Sequence, residues 1–182
     1  MARVLIPLAQ GCEELEAVTL IDLLRRAGIQ VVTAGLDEHP VRGSRGTVLV
    51  PDTTLDQVLH QAFDMIALPG GQPGANNLNA DARIHPLLQK MAAQNQYTAA
   101  ICAAPLVLAN AGLLHGKHAT SFPGVLEKMN LPDVILQTAA IVQDGKVVTS
   151  RGPGTAMDFA LMLIEVLVGK AKRDEVEAGL VR

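Results

Sequence analysis

Arg3-Val4-Leu5-Ile6-Pro7-Leu8-Ala9, followed by Gly11, the segment from Glu13 to Ala27, Gly28, and Ile29-Gln30-Val31-Val32-Thr33-Ala34, reads as strand, helix and strand. The first seven residues are a nearly continuous apolar run, as in a strand buried on both faces. Gly11 permits a sharp turn. Residues 13–27 have helical character, with Glu13, Glu14 and Glu16 in the opening turns, where carboxylates complement the positive end of the helix dipole. Gly28 closes the segment. A strand, a helix and a strand with short links form a βαβ unit, which sets a parallel sheet from the start of the chain.

Working outward, Phe63 to Leu68 is another buried strand, closed by Pro69-Gly70-Gly71-Gln72-Pro73-Gly74. Ligands of open α/β sheets bind beyond the carboxyl ends of strands, and a Gly-Gly pair there lets backbone N–H groups approach closely. The loop lacks both glycine-rich phosphate patterns. Before it, Pro40 to Arg45 and Thr47 to Val50 form an antiparallel pair or a loop and strand, and residues 53–60 a short helix. After it come a helix over residues 81–94, a strand ending at Cys102, a helix from Pro105 to Ala111 and a short helical turn through Met129. Residues 134–138 and 140–142 are strand material. Asp144-Gly145 turns the chain into Val147 to Ser150, the clearest hairpin signal in the sequence. Helices follow over 156–167 and 170–178. The alternation predicts one domain over residues 1–182, a three-layer α/β/α sandwich around a mainly parallel sheet.

The chemistry converges on Thr98-Ala99-Ala100-Ile101-Cys102-Ala103-Ala104-Pro105-Leu106. A short apolar strand meets an alanine-rich helix at one cysteine, with Ala100 and Ala104 in the two places where a nucleophile elbow needs small side chains. A cysteine ahead of a helix N-terminus is expected to favour its thiolate. A lone cysteine in an apolar segment is otherwise usually an inert small hydrophobe. Glu16 stands out in the same way: Thr19, Leu20, Leu23, Leu24 and Ala27 share its helical face, so it falls at the end of an arc that should be buried. A carboxyl there finds donors or keeps its proton, unless it merely caps a frayed first turn in water. Arg45, between Ser44 and Gly46, is a turn residue or an anion-binding side chain beside a cleft. His115 and His118 stand apart from any ligand cluster and read as surface residues, so no metal site is expected.

Composition narrows the function. Fifteen Lys and Arg against eighteen Asp and Glu give a formal net charge of -3, with no basic run, so nucleic acid is not an expected main partner. With 49% hydrophobic but only 2% aromatic residues, the core must be built from aliphatic side chains. Two cysteines without a C-x-x-C spacing fit a reducing compartment, and Met1 leads straight into strand, not into a signal peptide. The apolar helix near Phe159 to Val168 is too short to cross a bilayer. The cytoplasm is the expected location.

Gly11-Cys12-Glu13-Glu14-Leu15-Glu16, Arg25-Arg26-Ala27-Gly28-Ile29, Leu68-Pro69-Gly70-Gly71, Ala100-Ile101-Cys102-Ala103-Ala104-Pro105 and Ser150-Arg151-Gly152-Pro153-Gly154-Thr155 together resemble the ThiJ/PfpI superfamily, in the branch of the parkinsonism-associated protein and its small bacterial relatives. The resemblance implies a flavodoxin-like, class I glutamine amidotransferase-like sandwich and a homodimer. It implies Cys102 as nucleophile, Glu16 as its buried protonated partner, and Gly71 and Ala103 as backbone donors of an anion or oxyanion pocket. Arg45 and Arg151 would stand at a dimer-side rim or its support, and Cys12 beside the site as a second thiol or an inert side chain. Members are described as cofactor-free glyoxalases acting on methylglyoxal, as deglycases, and as oxidation-responsive chaperones of damaged proteins. Two departures matter: Phe122 stands where some members have a histidine, and Ala103 where protease-like relatives have one.

Overall fold

The computed structural model describes residues 1–182. The opening βαβ unit is β1 (Arg3–Leu8), α1 (Glu14–Arg26) and β2 (Gln30–Gly35), with β1 and β2 parallel from Arg3 opposite Gln30 to Leu8 opposite Gly35. A small antiparallel pair follows, β3 (Val41–Arg42) and β4 (Val48–Leu49). Next come β5 (Thr53–Thr54), β6 (Met65–Leu68), α2 (Gln72–Ala80), α3 (Ile84–Ala93), β7 (Tyr97–Ile101) and α4 (Pro105–Asn110). The chain continues through β8 (His118–Ala119), β9 (Ile135–Leu136), β10 (Ile141–Asp144) and β11 (Val147–Ser150) to α5 (Ala156–Val168) and α6 (Lys170–Ala178).

The main sheet has seven strands in the order β10-β11-β7-β6-β1-β2-β5, all parallel except for the β10–β11 hairpin at one edge. Helices α1, α5 and α6 pack together on one face, and α2, α3 and α4 on the other. This is the flavodoxin-like α/β/α sandwich. Strand order reverses at β1, whose neighbours β2 and β6 are reached by crossovers in opposite directions, so a crevice opens beyond the carboxyl ends of β1 and β6. Burying Leu20, Leu23 and Leu24 of α1 against the sheet contributes roughly 1.5–3 kcal/mol each.

Local expectation and structure part company in three places. Residues 53–60 are not a helix: Thr53 and Thr54 extend the sheet beside Ala34 and Gly35, and only Leu55–Gln57 form a 3₁₀ turn. Two adjacent β-branched residues suit an edge strand better than a helix start. Helix α2 begins within Gln72-Pro73-Gly74, which in isolation reads as a breaker; Pro73 takes the tolerated first turn, and Gly74 packs against Cys12. The 134–138 segment shortens to β9, which pairs with β8 in a separate two-stranded sheet.

Candidate active site

Strand β7 delivers Cys102 to its carboxyl end, where the chain must turn sharply before α4. Cys102 takes the left-handed conformation, φ 64°, which an L side chain adopts at a cost of roughly 1–2 kcal/mol. The surroundings hold it there. Its N–H donates to the Ser150 carbonyl of β11 at 3.0 Å, and its carbonyl accepts from Phe122 N–H at 2.8 Å. Ala100 and Ala104 are fully buried on either side, leaving no room for larger residues.

Strand β6 supplies the facing loop. A side chain at Gly70 would meet Cys102 Cβ at 2.6 Å and Glu16 Oε2 at 2.8 Å, so a bare backbone here lets the cysteine and the carboxyl come together over it. Gly70 N–H donates to Glu16 Oε2 at 2.8 Å. Gly71 sits at φ 80°, pressed against the chain after β1 so closely that a Cβ would lie 2.6 Å from the Gly11 carbonyl. The backbone N–H groups of Gly71 and Ala103 lie near enough to the Cys102 sulfur to favour its charged form.

Glu16, at the start of α1, is completely buried. Its Oε1 has no hydrogen-bonding partner, an expensive state for an ionised carboxylate. Burial pushes its pKa up to about 7, against the pull of the Gly70 N–H and the Cys102 side chain. Burial, and then the charge of Glu16, push the Cys102 thiol up to about 12, against the N–H groups of Gly71 and Ala103. This corrects the expectation of a favoured thiolate. Helix α4 has only six residues and begins three positions beyond the cysteine, so its dipole is too weak and too far away to offset desolvation beside a carboxyl. Both groups are pushed toward their protonated forms, the thiol more than the carboxyl, so the first proton the pair loses is that of Glu16.

A cleft of about 380 Å³ opens over the sulfur, lined by Gly71, Ala103, Phe122 and Pro153 and, on the α1 side, by Glu13 and Arg45. The structure thus gathers Cys102, Glu16, Gly71, Ala103 and Arg45. Arg151, at the end of β11, does not line the cleft. Cys12 is wholly buried within the apolar core, and burial, followed by the charges of Glu14 and Glu13, pushes its thiol up to about 11. Neither cysteine forms a disulfide. His118 is exposed on β8, with its ring 2.7 Å from the Gln137 amide, and no histidine lines the cleft. No group of three or more His, Cys, Asp and Glu side chains is placed to hold a metal ion.

The sequence did not reveal Glu14. Its buried carboxylate accepts the backbone N–H of Arg45 at 2.9 and 3.1 Å, that of Thr47 at 3.2 Å, and the Ser44 hydroxyl at 3.2 Å. Burial opposes its ionisation, but these donors and its own N–H outweigh that and hold its pKa down at about 2. The same Ser44 hydroxyl lies 2.9 Å from Glu13 Oε2, so one carboxylate anchors the turn that carries Arg45 to the cleft. Gly43 admits it: a Cβ there would lie 2.5 Å from Glu14 Oε2.

Residues 2–166 match the DJ-1/PfpI family model. The chain belongs to the DJ-1/PfpI family. This DJ-1/PfpI protein is 43% identical to protein dj-1beta of Drosophila melanogaster over 97% of its length and 95% of the fly protein. The crystal structure of the fly protein superposes with a TM-score of 0.95, covering 99% of this chain and 97% of that one at 42% identity. An oxidized DJ-1 of Toxoplasma gondii superposes with a TM-score of 0.94 at 39% identity, covering 100% and 98% of the two chains. A Caenorhabditis elegans relative named as a glutathione-independent glyoxalase is 35% identical over 96% of this chain and 92% of its own.

Proposed function

We propose that this DJ-1/PfpI protein is a cofactor-independent enzyme that converts methylglyoxal and related α-oxoaldehydes, or the early glycation adducts they form, to 2-hydroxy acids. The observation that carries the reading is Glu16 Oε1, buried without a partner, on a carboxyl brought against the thiol at the elbow over the bare backbone of Gly70. A carboxyl pKa near 7 is suited to passing protons in both directions at neutral pH.

Cys102 sulfur adds to the aldehyde carbon, and its proton passes through Glu16 to the aldehyde oxygen, leaving a hemithioacetal. Glu16 carboxylate then takes the hydrogen from that carbon to give an enediol, and returns a proton to the neighbouring carbon. The product is a thioester of the 2-hydroxy acid. Water hydrolyses it, releasing the acid and restoring the thiol. Gly71 and Ala103 N–H groups stabilise negative charge on sulfur as the pair exchanges its proton, and Arg45 meets the carboxylate at the rim. Methylglyoxal assayed without glutathione is expected to yield lactate. No lactate above a Cys102→Ala control would refute the reading.

A second reading is supported by the oxidized Toxoplasma gondii relative: Cys102 serves as an oxidative-stress sensor that switches a chaperone for damaged proteins. Oxidation to sulfinate would present oxygens to Gly71, Ala103 and protonated Glu16. Graded peroxide followed by intact-mass spectrometry separates the two. Client protection that changes in step with Cys102 oxidation favours the switch, and constant protection with falling aldehyde turnover favours the enzyme. We further propose a homodimer of single-domain subunits acting in the cytoplasm, without a cofactor.

A further inference from the structure

The cleft over Cys102 has a neighbour. A second cavity of about 540 Å³ lies beside it, and Gln72, Phe122 and Val125 line both. Cavities of roughly 300–1,000 Å³ take ligands of drug size, so either space exceeds what a three-carbon aldehyde fills. The walls of the second cavity differ from those of the first. Leu106, Val125 and Met129 are half-buried and apolar, and Phe122 is 47% exposed, an uncommon state for a large aromatic side chain. Lys128 is the one charged residue on the lining. Its stem lies 3.6 Å from the Cβ position of Gly124, and its ammonium makes no ion pair within the chain. The adjacent Glu127 carboxylate is instead occupied by Gly124 N–H at 2.9 Å.

We propose that this cavity is a substituent subsite, and that it takes an aryl group ending in a carboxylate on an α-oxoaldehyde whose aldehyde carbon is at Cys102. The inference rests on the reaction proposed above and adds to it the class of substrate preferred. Phe122 and Val125 form the wall along which the ring lies, and Phe122 stacks on it. Lys128 meets the carboxylate at the far end. The side-chain amides of Asn110 and Gln72 are each tied by one hydrogen bond, to Asn79 and Asn76 at 2.9 Å, and carry no charge. Lys128 is the one cation on the lining, and the anion is placed there.

The test compares 4-carboxyphenylglyoxal with phenylglyoxal, which differ only in the charged group. The expected ratio of kcat/KM is about fivefold in favour of the carboxylate, the upper end of what one exposed ion pair contributes. Lys128→Glu is expected to abolish or reverse that ratio. Equal kcat/KM values in the parent, or a ratio untouched by Lys128→Glu, would overturn the proposal. A readout independent of turnover uses 4-acetylbenzoate, which keeps the ring and the carboxylate and lacks the aldehyde, titrated into Cys102→Ala protein. Amide shifts at Asn110, Lys128 and Met129, lost in Lys128→Glu, support the subsite. No shift there overturns it even where methylglyoxal is turned over, whereas absence of methylglyoxal turnover with the shifts present would count against the reaction and not the subsite.

Discussion

At the scale of single residues the chemistry turns on two raised groups in contact, the Cys102 thiol and the Glu16 carboxyl. Burial raises the Glu16 pKa from 4.5 to about 7, so between those values the folded protein holds a proton that the unfolded chain has released. Glu16 therefore costs nothing below about pH 4.5, and its penalty grows as pH rises, reaching at most about 3 kcal/mol above pH 7. Glu16→Gln keeps an oxygen for Gly70 N–H and removes the charge. Urea unfolding at pH 5 and pH 8 is expected to show the parent losing stability relative to Glu16→Gln across that interval; parallel values would contradict the assignment. The same substitution removes the carboxylate that raises the Cys102 pKa. In a Cys12→Ala background, thiolate ultraviolet absorbance is expected to appear at lower pH in Glu16→Gln than in the parent. Turnover is expected to fall by at least about tenfold, because the amide cannot carry the proton. Both partners were legible in the sequence, Cys102 from its alanine flanks and Glu16 from its place on an apolar helical arc. The protonation of the thiol was not, since it depends on burial and on the approach of two side chains distant in sequence.

At the scale of elements the instructive case is the first turn of α1. Glu13, Glu14 and Glu16 look equivalent as acidic residues near a helix N-terminus, yet the structure gives them three different surroundings. Glu13 is half-buried at the cleft, Glu14 clamps the β3–β4 turn, and Glu16 faces Cys102. Only the third follows from helical periodicity, because the partners of Glu14 are backbone N–H groups of a turn some thirty residues away, whose position no local pattern records. Its depressed pKa has the opposite consequence to that of Glu16. The clamp contributes fully above the ordinary carboxylate range near 4.5 and is lost as pH falls toward 2. Glu14→Gln is expected to cost about 1.5–3 kcal/mol at pH 7, the value of hydrogen bonds to a charged group, with the deficit shrinking in acid. Equal thermal stability of the two proteins at pH 7 would show that the turn holds itself. Helix α2 is hidden in the sequence for a related reason: its Pro and Gly are breakers in isolation and become assets where Gly74 packs against Cys12.

At the scale of the whole molecule, the parallel sheet could be anticipated from the first βαβ unit, and the strand order of the folded chain places the ends of β1, β6 and β7 around one crevice. What lies outside the sheet was harder to read, as the short β8–β9 pair shows: apart from the buried Ala119 its residues are exposed, and their partners are set by the path of the chain, not by apolar alternation. Helix α1 also carries a message about assembly. Leu15 and Val18 are about half exposed on its outer side, and Met157 at the start of α5 is similarly uncovered. An isologous dimer would bury such a flank beside the helix that holds Glu16. Val18→Glu is expected to shift sedimentation from dimer toward monomer and to lower turnover with it. A dimer insensitive to the substitution would place the interface elsewhere.

In the proposed reaction Cys102 forms the bond to the substrate and Glu16 drives its breakdown. Rapid-quench mass spectrometry of a single turnover with methylglyoxal follows that bond itself. The account predicts an increase of one methylglyoxal mass confined to the peptide carrying Cys102, rising and then decaying as lactate appears, and decaying more slowly in Glu16→Gln. Lactate formed with no adduct at Cys102, or an adduct at Cys102 that persists with no lactate, would contradict it.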